Sequence, residues 1–303
     1  MKTFLFILIM TVPLLAQQDS LKAASQNPSP MVEYTRSHER IAQKTFKGLD
    51  VIIKDLFSGP IEIYIPGKSL GFNQFDLLIH FHGSSNIVKY AADKYEGNII
   101  AVDINLGAGS SRYYKEFADS TLFINLLDSV RNLSKRLNHN ITIRYIILSG
   151  FSAGYGAIKK ILEFKSLYNL TDAVLLLDGL HAGYIPDRRV LSEGGHIDSS
   201  AYKFFIKLAK DASEKKSRKK FLITHSEIFP GTFVSTTEST DYILNILGLK
   251  RKAVLKWGPL GMQQLSEAGK NHFMILGFAG NTAPDHIDHF HSLYYFLNKL
   301  MKL

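Results

Sequence analysis

The chain has 303 residues, no cysteine, 46% hydrophobic residues and a formal net charge of +9. That apolar share belongs to a globular chain rather than a disordered one, and the length fits one large α/β domain once a leader is set aside. Without cysteine there is no disulfide framework and no thiolate metal site, so stability must come from a sizeable core.

Met1-Lys2-Thr3, an apolar run from Phe4 to Leu15 and then Ala16 form the charged, apolar and small-residue regions of a secretory signal. The run is too short to span a bilayer, which takes about 20 apolar residues. The expected organisation is a signal peptide over 1–16, a flexible polar leader over 17–35 and one α/β domain over 36–303, exported to a bacterial periplasm or beyond the cell. With no Cys after Ala16, no lipoprotein anchor is expected, and no later apolar stretch is long enough for a membrane span.

Downstream, β-like runs cover Ile61–Ile65, Leu77–Phe81, Ile99–Ile104, Tyr145–Leu148, Ala173–Leu177, Phe221–Thr224 and Phe273–Phe278. Several are continuously apolar, as strands of a parallel sheet covered on both faces should be. Helix-like segments fall between them: Tyr113–Leu137 with apolar residues close to a 3.6 period, Ala157–Phe164, Tyr202–Ala209, Thr240–Leu247 and His286–Leu300. Ser235-Thr236-Thr237-Glu238 has the pattern of a capping box. The alternation predicts a doubly wound, mostly parallel sheet. The long insert between Asp178 and Phe221 begins with an aperiodic stretch carrying Gly183, Pro186, Gly194 and Gly195, and is expected to form a small cap. The basic run Lys215, Lys216, Arg218, Lys219, Lys220 reads as a solvated helix end. No aromatics interleave with it as a single-strand binder requires, so no nucleic-acid partner is expected.

The stretch Ile146-Ile147-Leu148-Ser149-Gly150-Phe151-Ser152-Ala153-Gly154-Tyr155-Gly156-Ala157 carries the chemistry. A β-like run enters Gly150-x-Ser152-x-Gly154 and a helical segment leaves it. A serine on so tight a strand-to-helix turn needs small neighbours two positions away on each side, and the turn exposes its Oγ. The glycines at 150, 154 and 156 do not fit a dinucleotide turn. Upstream, Leu77-Leu78-Ile79-His80-Phe81-His82-Gly83-Ser84-Ser85 is a strand ending in His-Gly, where a glycine lets backbone approach a ligand closely.

From about residue 60 onward the chain resembles the α/β-hydrolase superfamily, through His82-Gly83, the Gly150–Gly154 elbow, Asp178 after one strand and His286 after the last. The resemblance implies a Ser–acid–His triad in that chain order, with an oxyanion hole from the backbone N–H of Ala153 and of a residue at Gly83-Ser84. Ser84-Ser85 stand where some lipases carry further glycines, which argues against that subgroup. The acid is expected at Asp178, with Glu227 as rival and Glu238 explained by capping. The base is expected at His286, with His289 as alternative. His291 reads as a surface or supporting residue, His272 as lying at the wrong sheet end, and His80 and His82 as structural. A metal reading through His286, His289 and Asp285 or Asp288, joined by His80 and His82, lacks the H-E-x-x-H spacing and an identifiable third ligand, so neither a metal nor a cofactor is expected. The expected activity is carboxylic ester hydrolysis through an acyl-enzyme at Ser152 on a small-molecule or acylated carbohydrate substrate. Amide or peptide cleavage, and a non-catalytic binding protein on the same scaffold, stand as alternatives.

Overall fold

The computed structural model describes residues 37–137 and 140–303. The expected signal peptide and leader lie outside the described residues. Twelve strands are described: β1 (Gly48–Ile53), β2 (Ile61–Pro66), β3 (Gln74–Phe81), β4 (Ile99–Ile104), β5 (Thr142–Phe151), β6 (Ala173–Leu177), β7 (Tyr184–Ile185), β8 (His196–Ile197), β9 (Lys220–His225), β10 (Lys252–Trp257), β11 (Gln263–Lys270) and β12 (Phe273–Phe278). Among them run α1 (Ser85–Lys94), α2 (Ser110–Glu116), α3 (Ser120–Leu137), α4 (Tyr155–Glu163), α5 (Lys165–Leu170), α6 (Lys203–Ala212), α7 (Thr236–Leu247), α8 (Ala283–His291) and α9 (Leu293–Met301).

Ten strands form one sheet in the order β1-β2-β4-β3-β5-β6-β9-β12-β11-β10. The centre, from β4 to β12, is parallel. Both margins are antiparallel. β4 and β6 are buried at every residue, which is why they are apolar without alternation, apart from Asp103 in β4. Helices α1, α8 and α9 cover one face, through residues such as Ile87, Phe290 and Phe296. Helices α2 to α7 cover the other, through Tyr113, Phe123, Ile161, Leu167, Phe205 and Ile243. The mostly parallel, doubly wound sheet expected from the sequence is present, larger and more mixed than the seven runs suggested.

Two expected helices are each broken in two. The run Tyr113–Leu137 divides at Phe117–Asp119: Ala118 N–H turns back to Lys115 O, and Asp119 Oδ1 accepts Thr121 N–H at 2.8 Å to start α3. The run His286–Leu300 divides at Ser292, and both halves keep their apolar sides on the sheet. Helix α7 starts with the reciprocal Ser235–Glu238 capping box. The insert after β6 holds the β7–β8 pair, short 3-10 turns and α6.

Candidate active site

Strand β5 ends at Phe151, one 3-10 turn covers Ser152–Gly154, and α4 follows at once. Ser152 is forced to φ 46°, a left-handed conformation that a non-glycine residue adopts only when its surroundings hold it there. Gly154 is what lets the turn sit so close to the sheet: a Cβ there would lie 2.1 Å from Phe81 O at the end of β3. Of the six non-glycine residues with positive φ among the described residues, three are His82, Ser152 and Asp178. The three strained positions lie at the C-terminal ends of neighbouring strands, β3, β5 and β6, where open α/β sheets place their sites.

Asp178 leaves β6 buried, at 3% exposure. Its Oδ1 accepts Ser226 N–H at 2.9 Å; its Oδ2 accepts Ser226 Oγ–H at 2.6 Å and His286 Nδ1–H at 2.7 Å. Burial alone would raise this carboxyl, but the imidazoles of His289 and His286 and the hydrogen bonds from His286 and Ser226 outweigh it and hold the group well below the usual carboxylate range. With Nδ1 donating to a carboxylate, His286 keeps its basic lone pair on Nε2. The His286 ring packs 4.6 Å, centroid to centroid, from Phe151, the neighbour of Ser152. Ser152 Oγ has no hydrogen-bond partner among the described residues.

The rival groups are occupied elsewhere. Glu227 is exposed and its Oε2 accepts Gly280 N–H at 3.1 Å, which ties down the loop before α8. Glu238 caps α7 and accepts Tyr184 OH. His289 is buried, bonds Thr224 Oγ1 at 2.8 Å and is held at a pKa of about 4 by burial. Thr224 O in turn accepts Asp178 N–H at 2.9 Å, so His289 bonds the residue that holds the Asp178 backbone and not the carboxylate itself. His291 Nδ1 accepts Ile41 N–H at 2.9 Å. The sequence offered no sign of Ser226 as a donor to Asp178, since nothing local in Thr224-His225-Ser226-Glu227 sets which side chain turns towards β6.

Of the histidines weighed as metal ligands, His286 bonds Asp178 and His289 bonds Thr224. His38, Asp285 and Asp288 do present ligand atoms within 4.8 Å of one another. There Asp288 already receives the guanidinium of Arg40 and Nδ1 of His38, and Asp285 caps Thr282.

Gly83 adopts φ 142°, and a Cβ on it would lie 2.3 Å from the Phe290 ring. His80 explains how the loop is held. Its Nε2 lies 3.1 Å from His82 O and its Nδ1 3.0 Å from Ser149 Oγ. A carbonyl only accepts, so Nε2 donates and Ser149 donates to Nδ1. Burial pushes His80 down to about 3, so the ring is neutral, as this pattern requires. Because a trans peptide is planar with C=O and N–H opposed, fixing His82 O also fixes the direction of Gly83 N–H, which donates to no acceptor among the described residues. His82 stacks on Phe151, and its Nδ1 bonds Tyr113 OH at 3.1 Å.

A cleft of about 560 Å³ opens over Ser152 and Ala153. Its walls come from Ser110 and Tyr155, from Thr232 and Phe233, and from His181, Ala182 and Asp198 of the insert.

The parallel centre, the strand–turn–helix at Ser152 and the insert after β6 make this an α/β-hydrolase-type fold, as the resemblance implied. No protein-family model matches the chain, and no curated protein does. Among solved structures it is similar to an arylesterase (15% identity, 88% of each chain, TM-score 0.49). It is also similar to Est1E from Butyrivibrio proteoclasticus (10% identity, 85% of this chain and 100% of that one, TM-score 0.44). A third is a Pyrococcus horikoshii acylaminoacyl peptidase (14% identity, 86% of this chain and 42% of that one, TM-score 0.43).

Proposed function

We propose that the chain is an exported serine hydrolase that cleaves carboxylic esters through an acyl-enzyme on Ser152. The observation that carries the reading is the Asp178–His286 pair, at 2.7 Å, its imidazole packed on Phe151, the residue before a serine held at positive φ on a strand-to-helix turn. In this reading His286 Nε2 takes the Ser152 proton as Oγ attacks the ester carbonyl, and Asp178 fixes the tautomer and stabilises the imidazolium. The developing oxyanion is received by the N–H groups of Ala153 and Gly83, the second aimed by His80. His286 then protonates the leaving alcohol and activates the water that releases the acid. Export rests on the Met1–Ala16 pattern, and an acylated carbohydrate is the substrate that export and the Ser110, Thr232 and Asp198 side chains of the cleft favour.

The test is covalent. A fluorophosphonate should label Ser152 in the folded protein, and hydrolysis of p-nitrophenyl acetate should fall by on the order of 10⁴-fold or more in Ser152→Ala. A wild-type protein that is neither labelled nor active is a binding protein on this scaffold, and the proposal fails.

A further inference from the structure

Four residues leave β6 together as Asp178-Gly179-Leu180-His181, and the proposed mechanism uses only the first. His181 Nδ1 lies 2.9 Å from Val234 O. The carbonyl can only accept, so Nδ1 bears the proton and Nε2 bears the lone pair. The ring meets Tyr155 at 5.6 Å and Phe233 at 4.9 Å, both edge-on, centroid to centroid. Burial lowers its pKa, so the ring stays neutral and Nε2 stays an acceptor at neutral pH.

Nε2 has no protein partner among the described residues, nor is it among the enclosed polar atoms left without one. It opens on the cleft whose floor is Ser152 and Ala153. Water can donate to it while the cleft is open, but a ligand that excludes that water must donate in its place or leave the acceptor unsatisfied. His286, by contrast, spends its Nδ1 proton on a carboxylate and faces Phe151. The two imidazoles therefore offer different things: one a base, the other a fixed acceptor tied through Val234 to the loop before α7. Ser110, Thr232 and Asp198 around the same cleft suit a hydroxylated ligand better than an alkyl chain.

We infer that His181 Nε2 is a substrate-recognition acceptor, and that the substrate carries a hydrogen-bond donor, a hydroxyl or an N–H, beside its scissile bond. The inference rests on the hydrolase reading above and narrows its substrate class. A donor-bearing substrate replaces the water it displaces with one neutral hydrogen bond, and a plain alkyl ester that displaces the same water leaves Nε2 unsatisfied.

The experiment uses the full chain with three acetyl compounds: ethyl acetate, which has no donor; glycerol 1-monoacetate, which has hydroxyls; and p-nitroacetanilide, which has an N–H. His181→Phe keeps a ring between Tyr155 and Phe233 but removes the acceptor, and His181→Gln restores an acceptor on a flexible arm. The ratio of kcat/KM for glycerol monoacetate to that for ethyl acetate is expected to fall about tenfold in His181→Phe, as loss of one such bond predicts, and to recover in part in His181→Gln. The same fall confined to p-nitroacetanilide identifies the donor as an N–H. Ratios that do not move, or equal losses on all three compounds, overturn the inference and leave His181 a packing residue. Fluorophosphonate labelling of Ser152, run on every variant, separates the two failures. Normal labelling with unmoved ratios sinks only the inference, and a wild-type protein that never labels sinks the hydrolase reading and the inference with it.

Discussion

Two buried carboxylates, Asp178 and Asp103, lie at the ends of parallel strands of one sheet, and their surroundings push them in opposite directions. Asp178 takes three donors and is held far below the usual carboxylate range. Asp103, on β4, is 6% exposed and has no partner for Oδ1 among the described residues. Burial first, and then the charge of Glu62 across the β2–β4 pairing, push it well above that range, with Lys89 opposing. Burial is common to both, so burial does not decide the charge. The supply of donors does. The first carboxylate is suited to orient an imidazole, and the second has no such partner. Between them stands His80, in register with Asp103 on the neighbouring strand β3.

The comparison can be broken most sharply at Asp178. Asp178→Asn should reduce kcat for p-nitrophenyl acetate by on the order of 10³–10⁴-fold, because an amide facing His286 favours the wrong tautomer. The folded-state pKa of Asp178 is depressed, so its contribution to stability is present above the unfolded value of about 3.9 and is lost as pH falls below it. The stability difference between the wild-type protein and this variant, read by denaturant unfolding, should therefore shrink below about pH 4. His80→Phe keeps the stack on Phe290 but frees the 82–83 peptide. It should lower kcat by about tenfold to a hundredfold with KM little moved, a split that simple loss of folded protein would not give. The smallest effect belongs to Asp103. Its folded pKa is raised, so the wild-type protein loses stability as pH rises from the unfolded value of about 3.9 towards the folded one. Asp103→Asn mimics the protonated form and should raise Tm at pH 8 by a few degrees, about 1 kcal/mol, with no gain at pH 4. A variant less stable at pH 8 would mean that the carboxylate is paired after all.

The buried centre was legible in the sequence because its signal is local. Ile99–Ile104, Ala173–Leu177 and Phe273–Phe278 are strands at the expected bounds, since a strand covered on both faces is apolar along nearly its whole length, with Asp103 the exception in the first. β1, β10 and β11 escaped the same reading. They lie at the margins, much of their surface faces solvent, and stretches such as Gln263-Gln264-Leu265-Ser266-Glu267 look like loop. The turn at Ser152 was readable for the same local reason. The choices between Asp178 and Glu227, and between His286 and His289, were not, because they depend on long-range contacts. Ser226 turns towards Asp178 while Glu227 turns to Gly280, and three residues of helix separate the imidazole at Asp178 from the one at Thr224. The sequence marks His80 and His82 as structural, but nothing local in it shows that His80 holds the loop ending in Gly83.

Helix α8 carries His286 against Asp178, His289 against Thr224 beneath that acid, and Phe290 against Gly83. Its buried Asp288 is strapped to His38 and Arg40 of the segment before β1. One nine-residue helix is thus the common jig on which three separate parts of the site are aligned. Any slip of that helix misaligns all of them together, so damage to the strap at residues 38–40 should read out as a stepwise extinction of the whole site rather than as a graded weakening of any one residue.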